Sequence, residues 1–108
     1  MVLNSDLMRG VAEPVVLKLL SERMMYGYEI IKQVNERTNG EFQWKEGTLY
    51  PCLHRLEGQG LIRSSWELSG SKPRRYYTIT PKGQAAMQEK VEEAKKFAGA
   101  LNLLLGTI

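Results

Sequence analysis

The sequence predicts a mainly α-helical protein with one small β-hairpin. Apolar residues recur at helical spacing in four stretches of the 108-residue chain. Two short runs with β-branched and aromatic residues flank a Gly/Ser/Pro segment, which is typical of a hairpin. The chain is long enough for one domain with a modest core, and its 43% hydrophobic and 25% charged residues are typical of globular proteins.

The first two helices are predicted from apolar periodicity and from residues that begin or end helices. Residues 11–22 form an amphipathic helix that begins near Val11, because Pro14 is tolerated only in a first turn or at a kink. Residues 3–9 then form a separate turn or short helix. The second helix opens at "YGYEI" and stops at Asn39-Gly40, after which "EFQWK" is predicted to be extended.

The third helix lies in "GTLYPCLHRLEGQGLI", residues 47–62. Thr48 is predicted as its N-cap, with Pro51 in the first turn and the stop at Gly58 and Gly60. One face is apolar and is formed by Leu49, Cys52, Leu53 and Leu56. The other face carries Tyr50, Pro51, His54 and Arg55.

A hairpin and a long last helix complete the chain. "LIRSSWEL" and "RRYYTIT" are the predicted strands, and "SGSKP" is the predicted flexible tip. Thr80-Pro81 is a helix start signal, and the helix runs to about Leu105. Its apolar residues are spaced 4-3-4-3-4, as in a coiled-coil seam: Met87, Val91, Ala94, Ala98, Leu101 and Leu105.

This order of elements predicts a winged helix-turn-helix with a long C-terminal dimerisation helix. The third helix is then the recognition helix and the hairpin is the wing. The predicted boundaries are residues 1–80 for the winged-helix domain and 81–108 for the dimerisation helix.

Positive charge is concentrated around the wing. Residues 63–82 hold five basic residues and one acidic residue, whereas the remainder holds ten basic and eleven acidic residues. A local excess of this kind favours a polyanionic partner. Candidate contacts to the DNA backbone are Lys72, Arg74 and Arg75, together with Lys45, Tyr26 and Tyr28. Candidate base-reading residues are Thr48, Tyr50, His54 and Arg55, because residues near the start of a recognition helix reach base edges.

Some aromatic residues near the predicted interface could pack in the core instead of contacting DNA. Tyr26 and Tyr28 are equally suited to packing at a helix start and to holding a phosphate there. Trp44 and Trp66 are expected to pack rather than to stack on bases.

Phe97 and Met8 are candidates for lining a pocket for a small apolar ligand.

The residues argue against an enzyme. Cys52 and His54 are two apart and do not face each other on a helix, and there is no second histidine. No metal-ligand spacing or phosphate-binding glycine loop is present, so no cofactor is expected. The lone cysteine, the lack of a membrane-length apolar run and the lack of a leader-like start favour a soluble cytoplasmic protein.

Three motifs together resemble the PadR family of bacterial transcriptional regulators. They are "YGYEI", "GTLYPCLHRLEGQGLI" and "PRRYYTITPKG", and the resemblance covers about residues 7–90. It implies a dimeric winged-helix repressor in which Tyr50 and its neighbours contact DNA and the wing tip meets the backbone. The single last helix resembles the short subfamily, in which that helix packs on the partner's N-terminal helix.

The chain departs from this family in two respects. Pro14 stands where an ordinary helix former is usual, and the last helix has no tryptophan to stack on a flat ligand; Ala94 and Phe97 occupy that region. The sequence therefore predicts a DNA-binding homodimeric repressor acting on an inverted repeat, with release by a small apolar effector as a further hypothesis. The alternative is a winged-helix adaptor that binds proteins and no nucleic acid.

Overall fold

A computed structural model describes residues 5–106 of the chain. These residues form five helices and three strands, in the order α1 (Ser5–Gly10), α2 (Ala12–Glu22), β1 (Met25–Tyr26), α3 (Gly27–Arg37), α4 (Glu46–Gly58), β2 (Ile62–Ser69), β3 (Lys72–Ile79) and α5 (Pro81–Leu105). The predicted fold class is confirmed: α3 and α4 form the helix-turn-helix, and the β2–β3 hairpin is the wing.

The sheet has a third strand that the sequence did not indicate. Its order is β1-β3-β2, and both pairings are antiparallel. β1 is only two residues long, with Met25 opposite Tyr77. A strand this short produces no alternation of polar and apolar residues that could be detected in the sequence.

The wing is longer, and its tip tighter, than the predicted five-residue loop. The turn is Gly70 and Ser71 alone, since Ser69 already pairs with Lys72. Gly70 has a φ of 67°, which suits the first position of a two-residue hairpin turn. Pro73 lies within β3 opposite Leu68. β1 pairs only with residues 76 and 77, so the other edge of β3 is open at Pro73 and needs no N–H there.

The N-cap of helix α4 lies three residues earlier than predicted. The N–H groups of Thr48 and Leu49 already donate to the carbonyl of Lys45, at 3.0 and 3.1 Å. Lys45 is therefore the N-cap, and the prediction of Thr48 in that role is wrong. Pro51 consequently lies in the second helical turn, whereas the predicted end at Gly58 is confirmed.

The stretch before α4, residues 41–45, which is predicted to be extended, does not pair as a strand, and Lys45 at its end has an extended backbone. The stretch is instead held by two side chains at the end of α3, Asn35 and Thr38, and the Thr38 hydroxyl accepts from the N–H of Phe42 at 3.0 Å. Asn35 accepts from the N–H of Trp44 at 2.8 Å and donates to its carbonyl at 3.3 Å, so it satisfies both backbone groups as a neighbouring strand would. Trp44 is only 1% exposed, which agrees with the expectation that it packs.

The core lies between α2, the inner face of α4 and the base of the wing. The predicted apolar face of α4 is confirmed, because Leu49, Cys52, Leu53 and Leu56 are all buried. The other contributors are mainly on α1, α2, α3 and the strands: Met8, Ala12, Val16, Leu17, Leu19, Leu20, Met25, Ile30, Val34, Trp44, Leu61, Ile62 and Tyr77. The opposite face of α4 is left to solvent.

The start of α5 is fixed where α4 ends. Thr80 is the N-cap, as predicted, and its hydroxyl accepts from the N–H of Gly83 at 3.0 Å. The same hydroxyl donates to the carbonyl of Gly60 at 2.7 Å. A Cβ on Gly83 would overlap the carbonyl oxygen of Leu61 and would lie 2.7 Å from Cγ1 of Ile79. Only glycine fits at this position.

We expect Gly83→Ala to lower the free energy of unfolding by about 1–3 kcal/mol or to prevent folding, because the overlapping atom belongs to the backbone and cannot rotate away. Gly99→Ala, in the same helix, is the control. Nothing lies within 4 Å of its added Cβ, so it should be neutral or stabilising by roughly 0.5–1 kcal/mol. Urea unfolding followed by circular dichroism measures both. Equal stabilities would show that the close approach at Leu61 does not exist in solution.

Candidate nucleic-acid interface

An open cleft of about 610 Å³ lies between the start of α3, the exposed face of α4 and the wing. Three separate segments of the chain therefore meet around one concave surface. Its lining is aromatic and basic, with a single carboxylate: Tyr26, Gly27, Tyr28, Tyr50, Leu53, His54, Glu57, Trp66, Lys72, Pro73, Arg74, Arg75 and Tyr77.

Tyr50 joins α4 to the start of α3. A Cβ added to Gly27 would lie 2.6 Å from the Tyr50 hydroxyl oxygen, so the phenol rests directly on the first residue of α3. The side chain is still about half exposed. The hydroxyl thus lies at a helix N-terminus, where backbone N–H groups and the helix dipole favour negative charge. His54 is exposed one helical turn further along the same side of α4.

The three basic side chains on β3 of the wing have different surroundings. Arg75 donates to Oε1 of Glu57 on α4 at 3.2 Å, and the same carboxylate accepts from the Ser64 hydroxyl at 2.6 Å. Arg74 packs its guanidinium over the ring of Tyr26, 4.3 Å from the centroid. Its Nε is buried without a hydrogen-bond partner among the described residues. Lys72 is exposed next to the turn.

Tyr26 and Tyr28 differ in exposure although they are two residues apart. Tyr26 is half-buried, and its ring meets that of Tyr76 edge-on at 5.3 Å between centroids. Its N–H donates to Glu29 at 3.2 Å. Tyr28 is exposed and lines the cleft. The packing interpretation therefore suits Tyr26, and only Tyr28 has its ring free for a partner.

Thr48, Arg55 and Lys45 do not line this cleft. Thr48 is half-buried, and Lys45 is exposed at the start of α4. Arg55 turns toward α2, where its Nε lies 3.4 Å from Oε2 of Glu13. The structure thus brings Tyr50 and His54 together with the wing, and it places Thr48 and Arg55 on the opposite flank of α4.

Trp66 is a candidate that the sequence did not suggest. It was expected to pack, but it is 70% exposed and lines the cleft. Its partner across the hairpin is Arg75. The two-residue turn fixes this register, so the position of Trp66 beside the basic residues follows from the turn rather than from hydrophobicity.

The chemistry-bearing residues of α4 do not form a reactive set. Burial raises the pKa of the Cys52 thiol to about 12, with a smaller contribution from the negative charge of Glu13, so the thiol is neutral near pH 7. Within residues 5–106, no group of three or more His, Cys, Asp or Glu side chains is placed to hold a metal ion. None of the helices in that range is long and apolar enough to cross a membrane.

The residues of the predicted dimerisation stripe lie in three different environments. Met87 packs against the core of its own chain, and α5 lies along α2. Val91, Ala94 and Ala98 line an apolar cleft of about 380 Å³ between α5, α2 and the end of α3. Between Phe97 and Leu105 the large apolar side chains are exposed. A second apolar stripe at 4-3-4 spacing is predicted from Phe97, Leu101, Leu104 and Ile108, of which Ile108 lies outside the described residues.

The two residues proposed to line an effector pocket are not adjacent to one cavity. Met8 is buried in the core. Phe97 is exposed and lines a cleft between α1 and α5, with Leu7 and Pro14 among the other lining residues.

Pro14 lies in the first turn of α2, so α2 begins at Ala12 without interruption.

The helix-turn-helix with its attached wing defines the class: this is a winged-helix protein. Residues 16–89, more than half of the chain, match the transcriptional regulator PadR-like family. The chain belongs to the PadR-like family of transcriptional regulators, a family that consists of regulators rather than enzymes.

Individual relatives agree with this assignment. A transcriptional regulator of Clostridium thermocellum has a solved structure with a TM-score of 0.85 and 36% identity, covering 97% of this chain and 100% of that one. A PadR family regulator of Eggerthella lenta gives a TM-score of 0.77 and 34% identity over 95% of this chain and 88% of its own. An uncharacterized protein of Lysinibacillus sphaericus is 37% identical over 94% of both chains.

The exposure of Trp66 gives a fluorescence test of the cleft. The chain has two tryptophans, and Trp44 is buried, so acrylamide should quench mainly Trp66 in the free protein. We expect duplex DNA to protect that emission, because the cleft would be covered. In Trp66→Phe the remaining emission should be poorly quenched with or without DNA. Unchanged quenching of the wild type in a saturated DNA complex would place Trp66 outside the interface.

Proposed function

We propose that this regulator binds double-stranded DNA as a homodimer and represses transcription from an inverted-repeat operator. The observation that carries the proposal is the cleft itself. The exposed face of α4 and the basic wing border one surface, which is what a helix in the major groove and a wing on the adjacent backbone require.

Within this proposal the two flanks of α4 have different roles. Tyr50 and His54 face the wing side of the cleft, so they are the first candidates for contact with bases or with the nearest phosphates. Lys72, Arg74 and Arg75 supply backbone contacts, and Tyr28 adds an exposed hydroxyl at the start of α3. Thr48, Arg55 and Lys45 remain candidates on the other flank, and Arg55 reaches DNA only after leaving Glu13.

The homodimer is supported by the apolar surface of α5. Phe97, Leu101, Leu104 and Leu105 are exposed on the last nine residues of the described helix. Apolar side chains grouped in this way at a helix end are typical of an interface rather than of a solvated surface. Two-fold symmetry then places two α4 helices about one DNA turn apart, roughly 34 Å, which is why the operator is expected to be an inverted repeat.

Two further parts of the proposal concern regulation and location. A small apolar effector would bind between α1 and α5, where Phe97 borders a cleft, and would release the operator by altering the dimer. A bacterial protein with this role acts in the cytoplasm, where its DNA is. A thermal-shift screen with planar apolar compounds tests the effector, and a uniformly flat response would count against it.

A different class of function would keep the winged-helix shape for protein contacts alone. The cations beside α4 favour DNA over this adaptor role. A gel-shift assay with genomic fragments separates the two: an adaptor shifts none of them at low salt.

The wing is tested by the salt dependence of binding. The triple variant Lys72→Ala/Arg74→Ala/Arg75→Ala should bind all duplexes more weakly. The slope of log affinity against log salt should fall in magnitude by roughly 0.9 for each phosphate that the protein no longer neutralises. The control, Lys18→Ala/Lys95→Ala/Lys96→Ala, also removes three positive charges, but from exposed positions on α2 and α5. If both triples change the slope equally, the wing has no special contact with the backbone.

The dimer is tested by a matched pair of leucines on α5. Leu101 lies on both apolar stripes and is 41% exposed, whereas Leu103 points to the other side of the helix and is 88% exposed. Leu101→Asp would bury an unpaired charge in the interface, so we expect a folded monomer with affinity near the non-specific level. Leu103→Asp should remain a dimer. Sedimentation velocity at micromolar concentration compares them with wild type, and a dimeric Leu101→Asp would exclude this surface as the interface.

A further inference from the structure

One carboxylate connects the recognition helix to both α2 and α5. Glu13 lies on α2. Its Oε2 is 3.4 Å from Nε of Arg55 on α4, and its Oε1 is 3.2 Å from Nζ of Lys90 on α5. Each carboxylate oxygen therefore has its own cation, and the two cations come from the helices on either side of α2.

Burial within this cluster is uneven. The side chain of Glu13 is 24% exposed, that of Lys90 is 38% exposed and that of Arg55 is 51% exposed. The carboxylate is thus the fixed member of the cluster, and Arg55 is the member most accessible to another anion. All three charges also act on the buried Cys52 thiol, which agrees with their grouping around one point on α4.

The pair between Arg55 and Glu13 is weak enough to exchange. Ion pairs this exposed are weak, because water screens them and both side chains lose freedom. A DNA phosphate offers Arg55 an anion of the same kind and also releases condensed counterions. When Arg55 leaves, Glu13 retains Lys90, so the carboxylate is not left unpaired.

We propose that Glu13 is an internal counterion that competes with DNA for Arg55 and thereby sets the DNA affinity of α4 below its maximum. Lys90 holds the carboxylate on α2 while Arg55 exchanges. This inference rests on the proposed DNA binding through α4, and it assigns to Arg55 two alternative partners, one in the free protein and one in the complex.

The test is Glu13→Gln, which keeps the shape of the side chain and removes its charge. We expect affinity for a random-sequence duplex to rise about 2- to 5-fold, the factor that corresponds to the loss of one exposed ion pair. Glu22→Gln is the control. Glu22 lies at the other end of α2, and its hydrogen bond from Arg37 at 2.7 Å lowers the pKa of the Glu22 carboxyl. This variant removes an equal charge without involving α4, and it should leave the affinity unchanged.

The gain should also depend on Arg55. In an Arg55→Ala background, Glu13→Gln should give no increase, because there is no cation left to release. An equal gain in both backgrounds would overturn the proposal in favour of a general charge effect. A loss of affinity in Glu13→Gln would overturn it in favour of a carboxylate that positions Arg55 for DNA. Sedimentation of each variant checks that the oligomeric state is unchanged.

The outcomes also separate this inference from the proposed function. If wild type shifts no duplex at low salt, DNA binding itself is refuted. If wild type binds and Glu13→Gln binds equally well, only the role of Glu13 is refuted.

Discussion

The relative positions of α4, the wing and α5 are set by the contact between the start of α5 and Gly60-Leu61, the residues just before β2. The carbonyl of Leu61 accepts from the N–H of Thr80 at 3.0 Å, and the Thr80 hydroxyl spans from Gly60 to Gly83. Gly83 approaches so closely that a side chain would collide with Leu61. This junction holds the end of the recognition helix, the base of the wing and the start of α5 at one point, so the position of each restricts the other two.

The electrostatics of the proposed interface are more balanced than the charge count suggests. Two of the arginines that border α4 are already paired with carboxylates of the same chain, Arg75 with Glu57 and Arg55 with Glu13. Glu57 also accepts from Ser64, so it fixes the wing against α4 as well as partly neutralising it. DNA would therefore meet arginines that ion pairs within the chain keep in position. These ion pairs are weak enough to be exchanged for contacts with DNA phosphates.

The two halves of the long helix α5 have different surroundings. Its first half covers the core of its own chain through Ala86 and Met87. Its second half extends past α2 and exposes Phe97 and a run of leucines. The 4-3 spacing of apolar residues is the same in both halves, so in the proposed dimer the second half could pack against a partner with the periodicity that the first half uses against its own chain.

The number and order of the main helices, the buried face of α4, the cap at Thr80 and the hairpin could all be predicted from the amino-acid sequence, because periodicity, capping residues and turn residues act over a few neighbours. The sequence motifs also indicated the family. The partners of Arg55 and Arg75, the exposure of Trp66, the burial of Met8 and the short strand β1 became visible only in the folded chain. Each of these features depends on a contact with a residue that is distant in the chain, such as Glu13 for Arg55. The local sequence pattern does not show which distant residue will lie next to a given side chain in the fold.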